Sequence, residues 1–292
     1  MKNILIGTSG YDYPEWKGVF YPLDLKRADF LKYYASQFNA LELNNTFYNM
    51  PTAERLLSYY ERSEGKLKFS IKANRLLTHE ISFNWQTVAA DLKLALTPLL
   101  NKDCLSAILF QFPESFHYSN DNRIYLAKVI QAFFGFPIVI EFRHRDWIKE
   151  SVFDGLAERN TGIVFCDMPM CVSTTVNNFH KANGPLAGRM PQLKNLPDGT
   201  LLKTPFIGDT AYIRLHGRNA SAWYVHEAQN NGSARYCYDY SDEELKSFVP
   251  IINAAVQEGK KVQVYFNNHP SGSGAKNALK LQELLENSDF NI

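Results

Sequence analysis

The chain has no CxxC pair, no HExxH or HxH spacing and no GxGxxG turn, and its 292 residues carry a formal net charge of only +1. Each absence removes a class of protein. Four irregularly spaced cysteines (Cys104, Cys166, Cys171 and Cys237) make neither a zinc ribbon nor a disulfide framework. Free thiols in a reducing cytoplasm are expected instead, with Cys104 and Cys166 in or beside apolar strands. A charge near zero gives no global reason to bind nucleic acid, although a local basic patch stays open. No apolar run approaches the roughly 20 residues of a membrane helix. The N-terminal stretch MKNILIGTSGYDYPEW turns polar too early for a signal peptide, so no membrane partner is expected. His79-Glu80 lacks the second histidine of a zinc-hydrolase helix. Gly7-Thr8-Ser9-Gly10 is followed by YDYPEW rather than by a helix, which disfavours a dinucleotide fold. No cofactor is implied, and no feature specifies an oligomeric state.

What is present is a recurring strand. Hydrophobic residues are 45% of the chain and charged residues 21%, enough for a large core. The apolar runs LIGTS, LELNNTF, KFSIKA, AILFQFP, IVIEFRH, IVFCDMP, AYIRLHG and VQVYFNNH all turn polar at their downstream ends. The residues concerned are Ser9, Glu42, Asn44, Lys72, Gln111, Glu141, Arg143, Asp167, Arg214, His216 and Asn267. Side chains alternate across a strand. Tyr212, Arg214 and His216 therefore share one face, and Ala211, Ile213 and Leu215 the other. Helical patterns fill the gaps: Phe30, Leu31, Tyr34 and Phe38; Leu56, Leu57 and Tyr60; Leu245 through Val256 behind a Ser241–Glu244 capping box; and Ala275, Ala278, Leu279, Gln282 and Leu285. The pattern predicts a single domain over 1–292, a (β/α)8 TIM barrel whose strand ends converge on a C-terminal mouth. A Pro-, Gly- and Asn-rich stretch over 172–206 reads as a long irregular excursion between the sixth and seventh strands. A second long mouth loop follows the seventh strand.

The motifs GTSGYDYPEWKGVFYP, FNALELNNTFYNMP, FSIKANRLLTHE, LFQFPESF, IEFRHRDW, YIRLHGR followed by WY, and VYFNNHPSG with AKNA resemble the YecE-like family, a domain of unknown function with a TIM-barrel fold. The resemblance runs from Ile6 to about Ala278 and implies the barrel without naming a reaction. It also implies kinship with endonuclease IV and xylose-isomerase barrels, and with them a phosphate or nucleic-acid ligand.

The residues themselves support several chemistries. Glu42 and Glu141 are a carboxylate pair suited to glycoside hydrolysis, given a separation of about 5 Å or roughly 6.5–9.5 Å. The alternative is neutralisation, Glu42 by Lys72 and Glu141 by Arg143 or Arg214. Lys72, Arg143 and Arg214 suit an anionic ligand, against three carboxylates when Asp167 is counted. A Schiff base at Lys72 is disfavoured if Glu42 lies close enough to keep the amine protonated. Asp167 and His216 make a candidate general-base pair. Glu42, Glu141, Asp167, His216 and His269 could supply metal ligands, but the nearby cations oppose a metal. Ser9, Asn44, Gln111 and Asn267 are candidate ligand-orienting groups. A rim of Tyr11, Tyr13, Trp16, Phe47, Tyr48, Trp147, Trp223 and Tyr224 could stack on a ligand or pack the loops. The leading expectation is a metal-independent enzyme acting on an anionic, phosphorylated or nucleotide-like molecule by acid–base chemistry. A glycosidase-like hydrolase and a non-enzymatic nucleic-acid-binding barrel are the alternatives.

Overall fold

A computed structural model describes residues 4–169, 206–223 and 234–288. In chain order the elements are β1 (Ile4–Ser9), α1 (Phe30–Gln37), β2 (Ala40–Leu43), α2 (Ala53–Arg62), β3 (Lys68–Lys72), α3 (Trp85–Asn101), β4 (Leu105–Phe112), α4 (Asn120–Ala132) and β5 (Ile138–Phe142). They continue with α5 (Glu150–Ala157), β6 (Gly162–Asp167), β7 (Thr210–Leu215), α6 (Ala220–Trp223), α7 (Asp242–Lys246), α8 (Val249–Gln257), β8 (Lys261–Phe266) and α9 (Ser273–Asn287). The strands pair in parallel in sequence order, and β8 returns to β1 to close a barrel. This is the expected (β/α)8 architecture.

Local chemistry starts the helices. Thr52 and Ser119 accept from the backbone N–H groups of Arg55 and Asn122, capping α2 and α4. Ser241 and Glu244 form the anticipated capping box at α7. The helical pattern from Leu245 to Val256 divides into α7 and α8, with Pro250 in the first turn of α8. Proline lacks the N–H that a continuous helix would need there and is tolerated in a first turn. Excluded from the description are residues 170–205, which hold all of the expected excursion except Phe206. Phe206 itself is buried, its ring centroid 6.4 Å from that of Phe165.

Two buried layers result from the strand alternation. Outward-facing Ile6, Leu41, Ile71, Phe110, Ile140 and Ile213 belong to the core that packs against the helices. Inward-facing Ala40, Ala107, Leu109, Val139, Val164, Tyr212 and Tyr265 fill the barrel, with Leu5 and Cys166 packed on them. The interior is a packed core below the mouth rather than a channel. Gly7 permits the tightest strand approach, since a Cβ there would lie 2.0 Å from the Ala40 carbonyl oxygen. Among the described residues, no helix is long and apolar enough to cross a membrane.

Candidate functional site

Above the apolar plug, the barrel carries a chain of alternating charges. Arg214 on β7 donates from Nε and Nη2 to the two Glu42 oxygens at 3.0 and 2.7 Å, a bidentate grip across to β2. Its Nη1 donates to Glu141 Oε2 on β5 at 2.7 Å. The other Glu141 oxygen makes an ionic contact of 2.5 Å with Arg143 Nη2. Ser9 and Tyr212 also donate to Glu42, at 2.6 and 2.7 Å, and Tyr212 shares a 2.6 Å hydrogen bond with Ser70. Arg214, Glu42 and Glu141 are all buried. Such a group survives burial because nearly every lone pair and proton finds a partner. Burial alone would raise the Glu141 pKa, but Arg143 and Arg214 outweigh it and hold the carboxyl well below its ordinary range. The two glutamates raise the Arg214 pKa against the opposing effect of burial.

This chain answers the question of pairing. Glu42 is taken by Arg214, Ser9 and Tyr212 rather than by Lys72. Lys72, at the downstream end of β3, lies with Nζ 4.3 Å from the centroid of the Phe47 ring. Burial and then the Arg214 charge depress its pKa from 10.5 to about 8, more than Glu141 and Glu42 restore it. His79 faces the same region and stands edge-on to Phe47, with centroids 4.7 Å apart. Burial and the Lys72 charge lower its pKa to about 4, so the imidazole is neutral at physiological pH. Gln111 Nε2 is 3.5 Å from His79 Nε2.

His216 closes the other side of the mouth. Its ring is buried, with Nδ1 2.9 Å from Asn267 Nδ2 and Nε2 3.4 Å from Arg143 Nη2. Desolvation, then Arg214 and Arg143, push its pKa well below the ordinary value. Asn44, just past β2, has a buried Oδ1 without a hydrogen-bond partner among the described residues.

Several expected site residues lie elsewhere. Asp167 has the opposite parity: Cys166 packs on the barrel interior, and the Asp167 carboxylate accepts from Arg218 Nε and the Tyr240 hydroxyl, both at 2.8 Å. The anticipated Asp167–His216 pair is therefore replaced by Asp167–Arg218 and His216–Asn267 contacts. Burial raises the Asp167 pKa despite Arg218. Tyr11 packs between Tyr34 and Tyr59, on the helix side of β1. Trp16 is fully buried and donates from Nε1 to the His269 carbonyl at 2.8 Å. Trp147 is likewise buried, stacked on Phe142 and Phe116. These indoles secure loops, and Tyr48 is the large exposed aromatic of the predicted rim among the described residues. Trp223 ends α6 with its side chain outside the described residues, as is Tyr224 entirely.

Sequence reasoning missed Cys166, Tyr212, His79 and Arg218 as neighbours of the site. Tyr212 was accessible through its shared parity with Arg214. Glu141, Cys166 and His216 bring one potential metal-ligand atom each within 4.8 Å of one another. The Arg143 guanidinium touches both Glu141 and His216 and presents a positive charge to that space. Burial and the Glu141 charge also raise the Cys166 pKa, which opposes the thiolate a metal would need. This donor set does not suit a cation.

The fold and site together define a TIM-type barrel with a charged cluster at the C-terminal ends of its strands. The chain belongs to the family described as protein of unknown function DUF72, whose model matches residues 5–291. It is similar to the UPF0759 protein YunF of Bacillus subtilis, with 28% identity over 97% of this chain and 95% of that one. A crystal structure of a DUF72 family protein from Thermotoga maritima is 30% identical, with a TM-score of 0.77 over 97% of this chain and 99% of that chain. Another from Enterococcus faecalis is 21% identical, with a TM-score of 0.73 over 97% and 95% of the two chains, and shares the fold.

Proposed function

We propose that this barrel binds a small anionic molecule at its C-terminal mouth and transforms it by acid–base chemistry. The observation carrying the reading is the charge balance inside the barrel. Asp167 leaves the cluster to pair with Arg218, so Lys72, Arg143 and Arg214 face two carboxylates rather than three. Arg214 is consumed by those carboxylates. Lys72 and Arg143 remain, both only partly buried, and the Arg143 side chain keeps 16% of its surface exposed. An anion would relieve the unbalanced charge, and the Arg143 fork suits a carboxylate or phosphate. Gln111, Asn44 and Asn267 would orient its hydroxyl groups.

The glycosidase reading fits less well. Its general acid needs a raised pKa, whereas Glu141 is held ionised by two guanidinium groups. Arg214 also bridges Glu42 to Glu141, where a glycosidic bond would have to enter. The burial of Trp16 and Trp147 removes two surfaces on which nucleic-acid bases would have stacked.

The test is thermal unfolding in phosphate and sulfate, with chloride at matched ionic strength as the control. A ligand at 100 times its dissociation constant stabilises by about 2.7 kcal/mol. Phosphate or sulfate should raise Tm in the parent, and less in Arg143→Gln and Lys72→Met. Equal Tm values throughout the anion series would remove the basis for the proposal.

A further inference from the structure

The least neutralised charge in the mouth belongs to Lys72. Glu42 is saturated by Arg214, Ser9 and Tyr212, and Glu141 lies between two arginines. Each nearby carboxylate is thus committed to a guanidinium. Among the described residues, the close partner of the Lys72 amine is the Phe47 ring, which offers no lone pair and accepts no proton. A desolvated amine beside other cations is the environment that frees a lysine lone pair for attack. The earlier objection, a Glu42 that would keep Lys72 protonated, falls with the Glu42–Arg214 pairing.

We propose that Lys72 is a nucleophile that condenses with the carbonyl group of a small anionic aldehyde or ketone. This rests on the anion-binding reading of the same mouth and names its substrate class. The Lys72 Nζ lone pair attacks the carbonyl carbon, forming a C–N bond while the C=O π electrons move to oxygen. The oxygen takes one amine proton and becomes a carbinolamine hydroxyl. Loss of that hydroxyl with the second amine proton releases water and leaves a C=N bond. Amine and carbonyl thus give imine and water, with no oxidant or reductant. The proton passes from nitrogen to oxygen through solvent, because His79, with its pKa lowered to about 4 and Nδ1 on the Thr78 hydroxyl, is a weak acceptor. Arg143 holds the carboxylate or phosphate of the substrate, and Phe47 walls the carbon skeleton.

The distinguishing experiment uses glyoxylate, an anionic aldehyde, and neutral propionaldehyde in parallel, each trapped on the intact protein with cyanoborohydride. Peptide mass mapping follows each lysine. At pH 8 a group with the Lys72 pKa is about half neutral, against roughly 1 in 300 for an ordinary lysine. Weaker intrinsic nucleophilicity, scaled as for thiols, removes about tenfold of that gain and leaves roughly a tenfold net advantage. Glyoxylate should therefore label Lys72 about tenfold faster than the exposed Lys32 and Lys276. The rate should level off above pH 8 for Lys72 but continue to rise for the surface lysines. Arg143→Gln should slow labelling by glyoxylate much more than labelling by propionaldehyde, which loses only what the higher Lys72 pKa costs it once this cation is gone. If Lys72 is labelled no faster than Lys32 by either aldehyde, while phosphate still raises Tm, the imine proposal fails and the anion site stands. If both aldehydes label Lys72 rapidly and equally, and phosphate leaves Tm unchanged, the amine is a nucleophile but the anionic substrate class is wrong.

Discussion

Replacing Lys72 by methionine should stabilise the fold at neutral pH, and the gain should disappear in alkali. The Lys72 pKa falls from 10.5 in the unfolded chain to about 8 in the barrel. A tenfold loss of proton affinity corresponds to about 1.4 kcal/mol, so the charged amine costs the native state about 3 kcal/mol. Below pH 8 both states are protonated and the cost is present in full. From pH 8 to 10.5 the unfolded chain binds more protons, so wild-type stability rises; above 10.5 the cost is gone. Methionine removes the charge, keeps the stem and fits irregular apolar space. The lost cation–π contact with Phe47 subtracts about 1 kcal/mol, leaving a gain of about 2 kcal/mol at pH 7. Urea unfolding of both proteins, read by tryptophan fluorescence at pH 7 and pH 10.5, measures the difference. A destabilised variant at pH 7, or a gain that persists at pH 10.5, would refute this account of Lys72.

Arg214→Met should cost about 3–5 kcal/mol, because it leaves Glu42 and Glu141 buried with their main counter-charge gone; adding Glu42→Gln and Glu141→Gln should recover part of the loss in urea unfolding. His216 is neutral in the barrel but accepts a proton near pH 6.5 when unfolded, so it removes stability as pH falls below 6.5. His216→Gln should flatten that part of the stability–pH curve, and an unchanged slope would count against a suppressed imidazolium. Exposed Cys237 should react with a thiol reagent in the native protein well before buried Cys104 or the protonated Cys166, as peptide mapping would reveal.

Most of the barrel was legible because a strand ending at a polar mouth changes composition along its length. Along β7 the alternation of Tyr212, Arg214 and His216 against Ile213 and Leu215 is unambiguous, and each lies on the expected face. β6 gives no such phase. Val164, Phe165 and Cys166 are apolar in succession, so the more polar Asp167 drew the inward assignment that belongs to Cys166. Ion pairing was less accessible still. Glu42 meets Arg214 across 172 residues, and the choice over Lys72 depends on which side chain spans the closed barrel. The aromatic loops misled for a related reason: Trp16 and Trp147 look like ligand platforms until their N–H groups are found on backbone carbonyls.

The Arg214 clasp also bears on how the barrel is made. It joins β2, β5 and β7, so neither Glu42 nor Glu141 can receive this counter-ion until β7 has been synthesised and docked. A nascent sheet of β1 to β6 would have to keep Glu42 in water and leave Glu141 to Arg143 alone, with its interior open. Closure by β7 and β8 converts two obstacles to burial into a fastening. A fragment ending at Asp167 should consequently stay loosely packed, and protection of its amides from hydrogen exchange should rise when the segment from Thr210 onward is supplied.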